Sequence, residues 1–227
     1  MEDLKNLKKF WNKKKVFITG HTGFKGAWLC IILRYLNSSI YGYALKSEKN
    51  SLFNKSKINK EIISNSYSNI NNISKLRKKI QQSKPEIIFH LAAQPLVLES
   101  YKSPLKTFNT NIIGTLNILE CVRGVKSVKS VVIITTDKVY KINKRNINYN
   151  ELDELGGDDP YSASKVAAEI IVKSYVKSFF KNTLLKNRVS TVRAGNVIGG
   201  GDYSKNRLLP DIIRAINNKK IMNIRNP

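Results

Sequence analysis

VFITGHTGFKG, residues 16–26, is the stretch on which the reading of the fold turns. An apolar run reaches Thr19 and gives way to glycines at positions 20, 23 and 26. The run reads as a short buried strand over 15–19, and residues 24–36 carry the apolar periodicity of a helix. Glycines at this spacing permit a tight turn and let backbone N–H groups approach a pyrophosphate at the helix amino terminus. The pattern alone is common. Between the first strand and first helix of a β-α-β unit it reads as a dinucleotide-binding loop. Gly20, His21, Thr22, Gly23, Phe24, Lys25 and Gly26 become candidate cofactor contacts, with His21 and Lys25 adding polar or positive groups beside the phosphates. For His21 a solvent-facing loop position is an equal alternative.

Outward from this loop, strand-like and helix-length segments alternate. Strands are expected over 39–44, within 58–66, and over 86–91, 128–135 and 189–193. Helices are expected over 73–82, 104–123, 160–180 and 208–217, the third opened by Pro160 in its first turn. This alternation predicts an α/β fold, a doubly wound parallel sheet with helices on both faces. Two long irregular connections, 46–72 and 141–159, are rich in Asn, Lys and Ser, and no internal repeat is visible. The second strand ends Tyr43-Ala44-Leu45-Lys46, without the acidic residue that ordinarily holds the adenosine ribose hydroxyls. Lys46 would tolerate a phosphate there, so the ribose end does not choose between NAD and NADP.

Composition narrows the class. Hydrophobic residues make up 41% of the 227 positions, ordinary for a soluble domain, and no apolar run approaches the ~18 residues a membrane span needs. The amino terminus, MEDLKNLKKFWNKKK, has no signal-peptide core, so a cytoplasmic protein is expected. Cys30 and Cys121 lie alone in helix-like segments and form neither a disulfide framework nor a metal spacing. The net charge of +24 raises a nucleic-acid or anionic-membrane partner. Lysine far outnumbers arginine, however, and is spread along the whole chain, which favours a solvated basic surface with neither partner. Such a surface still attracts an anionic small substrate.

Two further stretches carry chemistry. SVVIITTDKVY, 130–140, begins as a buried strand and releases Thr136, Asp137 and Lys138 at its carboxyl end, where open α/β sheets bind ligands. DPYSASK, 159–165, sets Tyr161 and Lys165 four apart on one helix face. An ammonium beside a phenol favours the phenolate, which makes Tyr161 a usable base. With the glycine loop, these parts point to a nicotinamide-dependent active site.

The same residues resemble the extended short-chain dehydrogenase/reductase family, in particular its CDP-glucose 4,6-dehydratase branch. The resemblance rests on FW (10–11), GHTGFKG (20–26), GYAL (42–45), KPEIIFHLAAQPLV (84–97), TDK (136–138), GGDDPYSASK (156–165), RAGNVIGGGDY (193–203) and RLLPD (207–211). It implies NAD as cofactor, with Asn69 and Ile70 on the adenine side and Leu91, Ala92 and Ala93 along the cleft. It implies that Tyr161, assisted by Thr136 and Lys165, takes the C4 hydroxyl proton of a sugar nucleotide, suspected to be CDP-glucose. Asp137 would then protonate the departing C6 hydroxyl, made neutral by burial, while Lys138 acts at C5 as base or as enolate stabiliser. Gln94, Asn196 and Arg207 would contact the substrate, no metal is implied, and a homo-oligomer is expected. A dinucleotide domain over 1–195 would be followed, from 196 to 227, by the start of an incomplete substrate domain. Departures from the family pattern are SNINN (68–72), where an aspartate usually reaches adenine, and RNINYNE (145–151) in place of a tryptophan-rich segment. The chain also ends at IRNP (224–227), where family members continue.

Overall fold

The computed structural model describes residues 2–142 and 148–221; residues 145–147 of the departing segment and the terminal IRNP lie outside them. Strands β1 (Lys15–Thr19), β2 (Ser39–Ala44), β3 (Ser64–Tyr67), β4 (Ile87–His90), β5 (Ser130–Ile134) and β6 (Val189–Val192) form one parallel sheet in the order β3-β2-β1-β4-β5-β6. The order reverses at β1, so a crevice opens where β1 and β4 part at their carboxyl ends.

Alternation along β1 explains the two faces. Phe17 points to one side, where Leu76, Ile80, Ile88, Ile118, Val131 and Val172 close a large core. Its neighbours Val16 and Ile18 point to the other, against Ala27, Cys30, Leu33, Ile40 and Phe53. Helices α4 (Ile73–Ser83), α7 (Gly114–Val122) and α8 (Pro160–Tyr175) supply the first core, and α2 (Phe24–Tyr35) and α3 (Leu52–Lys55) the second. Both faces are covered, as the alternation of elements required. The remaining helices are α1 (Glu2–Trp11), α5 (Val97–Lys102), α6 (Pro104–Phe108) and α9 (Leu208–Asn217).

Several boundaries differ from expectation, each for a local reason. Helix α1 was hidden by its charge, since none of its residues is buried. The third strand starts at Ser64 rather than near 58, because Ile58 sits in a 3-10 turn and turns into the second core. The expected helix over 104–123 is α6 and α7 joined by a π turn, Asn109–Ile113. Asn111 in that turn is buried, accepts from the Gln94 amide at 2.8 Å, and donates to the Gln94 carbonyl at 3.1 Å and the Ser164 hydroxyl at 2.8 Å. These three bonds pull the helix toward the end of β4 and toward α8. A second π turn, Val176–Phe180, continues α8 and buries Phe180.

Buried polar groups tie the strand ends to these helices. The Ala92 amide donates to Thr19 Oγ1 (3.2 Å), which lies 2.7 Å from His90 Nδ1, while His90 Nε2 lies 3.3 Å from Thr115 Oγ1. Thr115 in turn donates to the Asn111 carbonyl at 2.7 Å, which assigns the ring proton to Nε2. Farther along the sheet, the buried Glu169 carboxylate accepts from Thr135 Oγ1 at 2.7 Å and pairs with Arg193 at 2.6 Å. That pair fixes α8 to the ends of β5 and β6. Removing one partner strands a buried charge, so Arg193→Met should lower stability by roughly 3–5 kcal/mol. Chemical denaturation checks it; a change below about 1 kcal/mol would contradict the account.

Burial lowers the pKa of His90 to about 3 and of His21 to about 4, from 6.5. Both folded values lie below the unfolded one, so their contribution is complete above pH 6.5 and is lost as the pH falls toward 3–4. The unfolding free energy should fall in that window by about 1.4 kcal/mol per pH unit for each histidine. Denaturation midpoints measured from pH 7 to pH 4 test this, and His21→Asn should flatten the slope.

Candidate active site

The glycine loop is built by backbone contact. Gly20 has φ +72°, and a Cβ there would lie 2.7 Å from the Ala92 nitrogen. A Cβ on Gly26 would run into the Gly20 carbonyl and the His21 Cα. Gly23 is different: it is the N-cap of α2, its amide donates to the Gly20 carbonyl at 3.1 Å, and a Cβ would meet nothing closer than 3.4 Å. No side chain caps α2, so its first amides face the cleft as an anion-binding end. The cleft measures about 600 Å³ and is lined at this end by Gly20, Thr22, Gly23, Phe24, Lys25 and Gly26. Its size, its glycine-walled turn and its free helix amino terminus fit a dinucleotide.

The His21 side chain does not join them. It is fully buried beneath the loop, with Nε2 3.1 Å from Asn65 Oδ1 and its ring edge-on to Phe53 at 5.2 Å. Gly42 leaves room for it, because a Cβ there would strike the imidazole. At a pKa of about 4 the ring is neutral, and it brings no charge to a phosphate.

Beyond the end of β2, the cleft passes Leu45, Ser68, Asn69, Ile70 and Asn71. The Asn69 carbonyl accepts from the Tyr43 hydroxyl at 3.1 Å, and its side chain accepts from the Asn71 amide at 2.9 Å, so the turn is held from within. Leu91, Ala92, Ala93 and Pro95 form the floor. Gln94, expected to line the cleft, points inward instead: it is buried, donates to Thr107 Oγ1 and the Leu96 carbonyl, and accepts from the Leu96 amide. Lys106, Asn109 and Thr110 line the opposite wall. Sequence reading missed them because the π turn that swings them inward depends on the buried Asn111.

Past β5 the proposed catalytic groups gather. Asp159 caps α8 by accepting from the Tyr161 and Ser162 amides at 2.9 and 3.0 Å, which sets the phase of the helix. Tyr161 and Lys165 are thereby buried on its inner face. Burial raises the Tyr161 pKa, opposed by a hydrogen bond with Thr136 and by the Arg207 guanidinium. Lys165 donates to the Ile134 carbonyl at 3.1 Å, and burial, then the charge of Lys25, lowers its pKa to about 8. The expected depression of the Tyr161 pKa by Lys165 is therefore not what this arrangement displays: burial raises it, and the opposing groups are Thr136 and Arg207 rather than Lys165. Asp137 and Lys138 are exposed rather than buried. Asp137 accepts from Thr136 Oγ1 at 3.0 Å, and its amide donates to the Ala194 carbonyl at 3.1 Å, beside the RAGN segment. Asn196 is exposed, whereas Arg207 lines the cleft together with Ser204 and pairs with Asp202 at 3.1 Å. Tyr149 stacks on Tyr140 with centroids 4.7 Å apart, and Arg193 lies over the Tyr140 ring. No cluster of three or more metal-ligating side chains occurs among the described residues.

Comparison with known proteins accords with this geometry. The family model for GDP-mannose 4,6 dehydratase matches residues 17–222. Over 224 residues the chain is 45% identical to CDP-glucose 4,6-dehydratase of Salmonella typhimurium, covering 97% of this chain and 62% of that protein. Over 221 residues it is 34% identical to dTDP-D-glucose 4,6-dehydratase of Dictyostelium discoideum, covering 91% of this chain and 49% of the relative. The chain thus spans less than two thirds of the length of these curated relatives. Among solved structures, dTDP-glucose 4,6-dehydratase of Bacillus anthracis in complex with NAD superposes with a TM-score of 0.75 at 23% identity, covering 91% of this chain and 62% of that one. The DesIV double mutant of Streptomyces venezuelae, with NAD and DAU bound, gives 0.78 at 19% identity over 90% and 62%. These two share the fold. With the family model matched from the first strand through α9, this chain belongs to the GDP-mannose 4,6 dehydratase family.

Proposed function

We propose that the chain carries the cofactor site and the reacting groups of an NAD-dependent sugar-nucleotide 4,6-dehydratase, a hydro-lyase acting on CDP-glucose. The observation that carries this reading is the gathering of Tyr161, Thr136 and Lys165, which do not line the glycine-walled cleft themselves but feel the charges of Arg207 and Lys25 that do, with Asp137 and Lys138 at the end of the strand that carries Thr136. The 45% identity to a CDP-glucose 4,6-dehydratase supports the choice of substrate. Residues 196–221 would begin the part that closes over the sugar nucleotide, with Arg207 on its diphosphate side.

Bound NAD would take a hydride from sugar C4 and return it at C6, leaving no net redox change. Tyr161 removes the C4 hydroxyl proton, and the Thr136 hydroxyl beside it holds the phenol in line. Lys165, one helical turn from Tyr161 and donating to the Ile134 carbonyl, would supply a positive charge that favours the developing phenolate. Asp137 delivers a proton to the departing C6 hydroxyl. Lys138 either removes the C5 proton and returns it to C5 once the hydride has reached C6, or, with water exchanging that proton at C5, stabilises the enolate that forms.

Incubation with NAD and CDP-glucose should yield the 4-keto-6-deoxy product, followed by NMR. Tyr161→Phe should abolish the oxidation at C4 while NADH still binds. Asp137→Asn should keep that oxidation and slow water loss by about 10²–10⁴. Loss of the oxidation step in Asp137→Asn, with normal dehydration of a supplied 4-keto sugar, would reverse the assignment.

The pH dependence follows from the same groups. Tyr161 is held above its ordinary range, so its basicity favours higher pH, while Lys165 loses its charge above about pH 8. The rate of NADH formation should therefore climb from neutrality and turn down above about pH 8. A profile that keeps climbing through pH 9 would remove the Lys165 charge from the step.

A further inference from the structure

A parallel sheet has two unlike edges, and the cleft uses only one. The other, where the strands begin, is strongly basic. Exposed Lys13 and Lys15 stand at the start of β1 beside Lys14; Lys84 precedes β4, Lys129 precedes β5 and Arg188 precedes β6. The parallel register, Val16 beside Ile87, Ile87 beside Ser130 and Val131 beside Val189, brings these positions to one side. The carboxylates on this side are paired with cations: Glu86 is bridged by Lys14 and Lys129 at 3.1 Å each, Glu61 pairs with Arg34, and Glu120 at the end of α7 pairs with Arg123 at 2.8 Å.

Helix α1 lies on this edge and matches it. Trp11 anchors its end, packed on Phe89 with centroids 6.2 Å apart and accepting at its carbonyl from Ser38 Oγ. Lys8 lies over the Tyr35 ring at 4.4 Å, which sets α1 beside the last turn of α2. Residues 2–10 are all exposed. Leu4, Leu7 and Phe10 form an apolar stripe left 43%, 47% and 54% exposed, and Ile32 and Tyr35 of α2 add 50% and 60%. Lys5, Lys8 and Lys9 occupy the flank of the stripe, and Glu2 and Asp3 stay in the first turn, where they favour the helix dipole. No helix among the described residues is long and apolar enough to cross a membrane. A short, mostly polar helix with one apolar stripe and a lysine flank instead lies in the plane of an interface.

We propose that α1 and the amino edge of the sheet form a peripheral binding surface for an anionic lipid bilayer. Leu4, Leu7 and Phe10 enter the headgroup region, and the lysines of α1 and of the strand starts face the anionic lipids. The cleft, on the opposite edge, then opens toward water. The proposal runs against the expectation of no membrane partner, which rests on the spread of lysine along the chain and takes no account of the helix.

The test is co-sedimentation of the full chain with vesicles of phosphatidylcholine containing about 30% phosphatidylglycerol, against phosphatidylcholine alone. Binding should require the anionic lipid and be released by high salt. Lys5→Gln, Lys8→Gln and Lys9→Gln together should weaken it on the order of a hundredfold. Leu7→Ser with Phe10→Ser should weaken it as well, with circular dichroism unchanged; Phe10 also meets the Trp11 ring edge-on at 5.0 Å and lies under Lys14, so a small fall in the melting midpoint accompanies it. As a control, Lys49→Gln, Lys102→Gln and Lys205→Gln remove equal charge from connections leaving the carboxyl ends of β2, β4 and β6, and should leave binding nearly intact. No binding to the anionic vesicles at low salt overturns the proposal. So does an equal loss from the control set, which would mean undirected charge, or unchanged binding in the Leu7/Phe10 variant.

Discussion

At Gly20 the backbone of the first loop lies so near the end of β4 that a single added carbon would sit 2.7 Å from the Ala92 nitrogen. The rest of the cleft depends on this approach. It places the amino terminus of α2 over the gap where the strand order reverses, and it lets Ala92 donate to Thr19. From Thr19 the bonds run through His90 and Thr115 to the π turn, and from Asn111 to Ser164 on α8. One buried polar chain therefore connects the phosphate end of the cleft to the helix that carries Tyr161 and Lys165. Because each member is buried, an unmade bond would cost more than the bond itself contributes, and the arrangement is held as a unit.

How much of this was legible in the sequence depended on whether the cause was local. The strand at 15–19, the glycine turn and the helix after it were readable because period, glycine spacing and burial agree over a dozen residues. The phase of Tyr161 and Lys165 was readable because Pro160 announces the helix start. What escaped notice was tertiary. Gln94 looked like a cleft residue, yet Thr107 on α6 takes its amide. His21 looked like a phosphate neighbour, yet Gly42, on a strand paired far from it in sequence, leaves it a buried slot. Asn109 and Thr110 reach the cleft only through a π turn imposed by Asn111, and no local pattern encodes such a turn. Helix α1 was obscured for the opposite reason: it buries nothing, so burial gave its sequence no core pattern.

The two edges of the sheet divide the chemistry between them. On the carboxyl edge three cations, Lys25, Lys165 and Arg207, lie near enough to influence one another or Tyr161. Crowding of like charge makes this edge receptive to anionic ligands such as a dinucleotide and a sugar diphosphate. The amino edge carries unspecialised lysines beside exposed apolar residues, a mixture suited to a surface rather than to a small molecule.

The central claim is that the turn between β1 and α2 holds a dinucleotide by close backbone approach, and Gly23 isolates it. Its backbone angles, φ −75° and ψ 168°, suit a β-branched residue, and a Cβ there would meet the protein only at 3.4 Å, so a substitution should leave the fold intact. The measurement is calorimetric titration of NADH into the native chain and into Gly23→Val, with thermal midpoints compared in parallel. The account predicts binding to the native chain, an unchanged midpoint for the variant, and loss of its binding by a hundredfold or more, on the order of the cost of blocking one charged-group contact. Equal affinity in a folded Gly23→Val protein would contradict it.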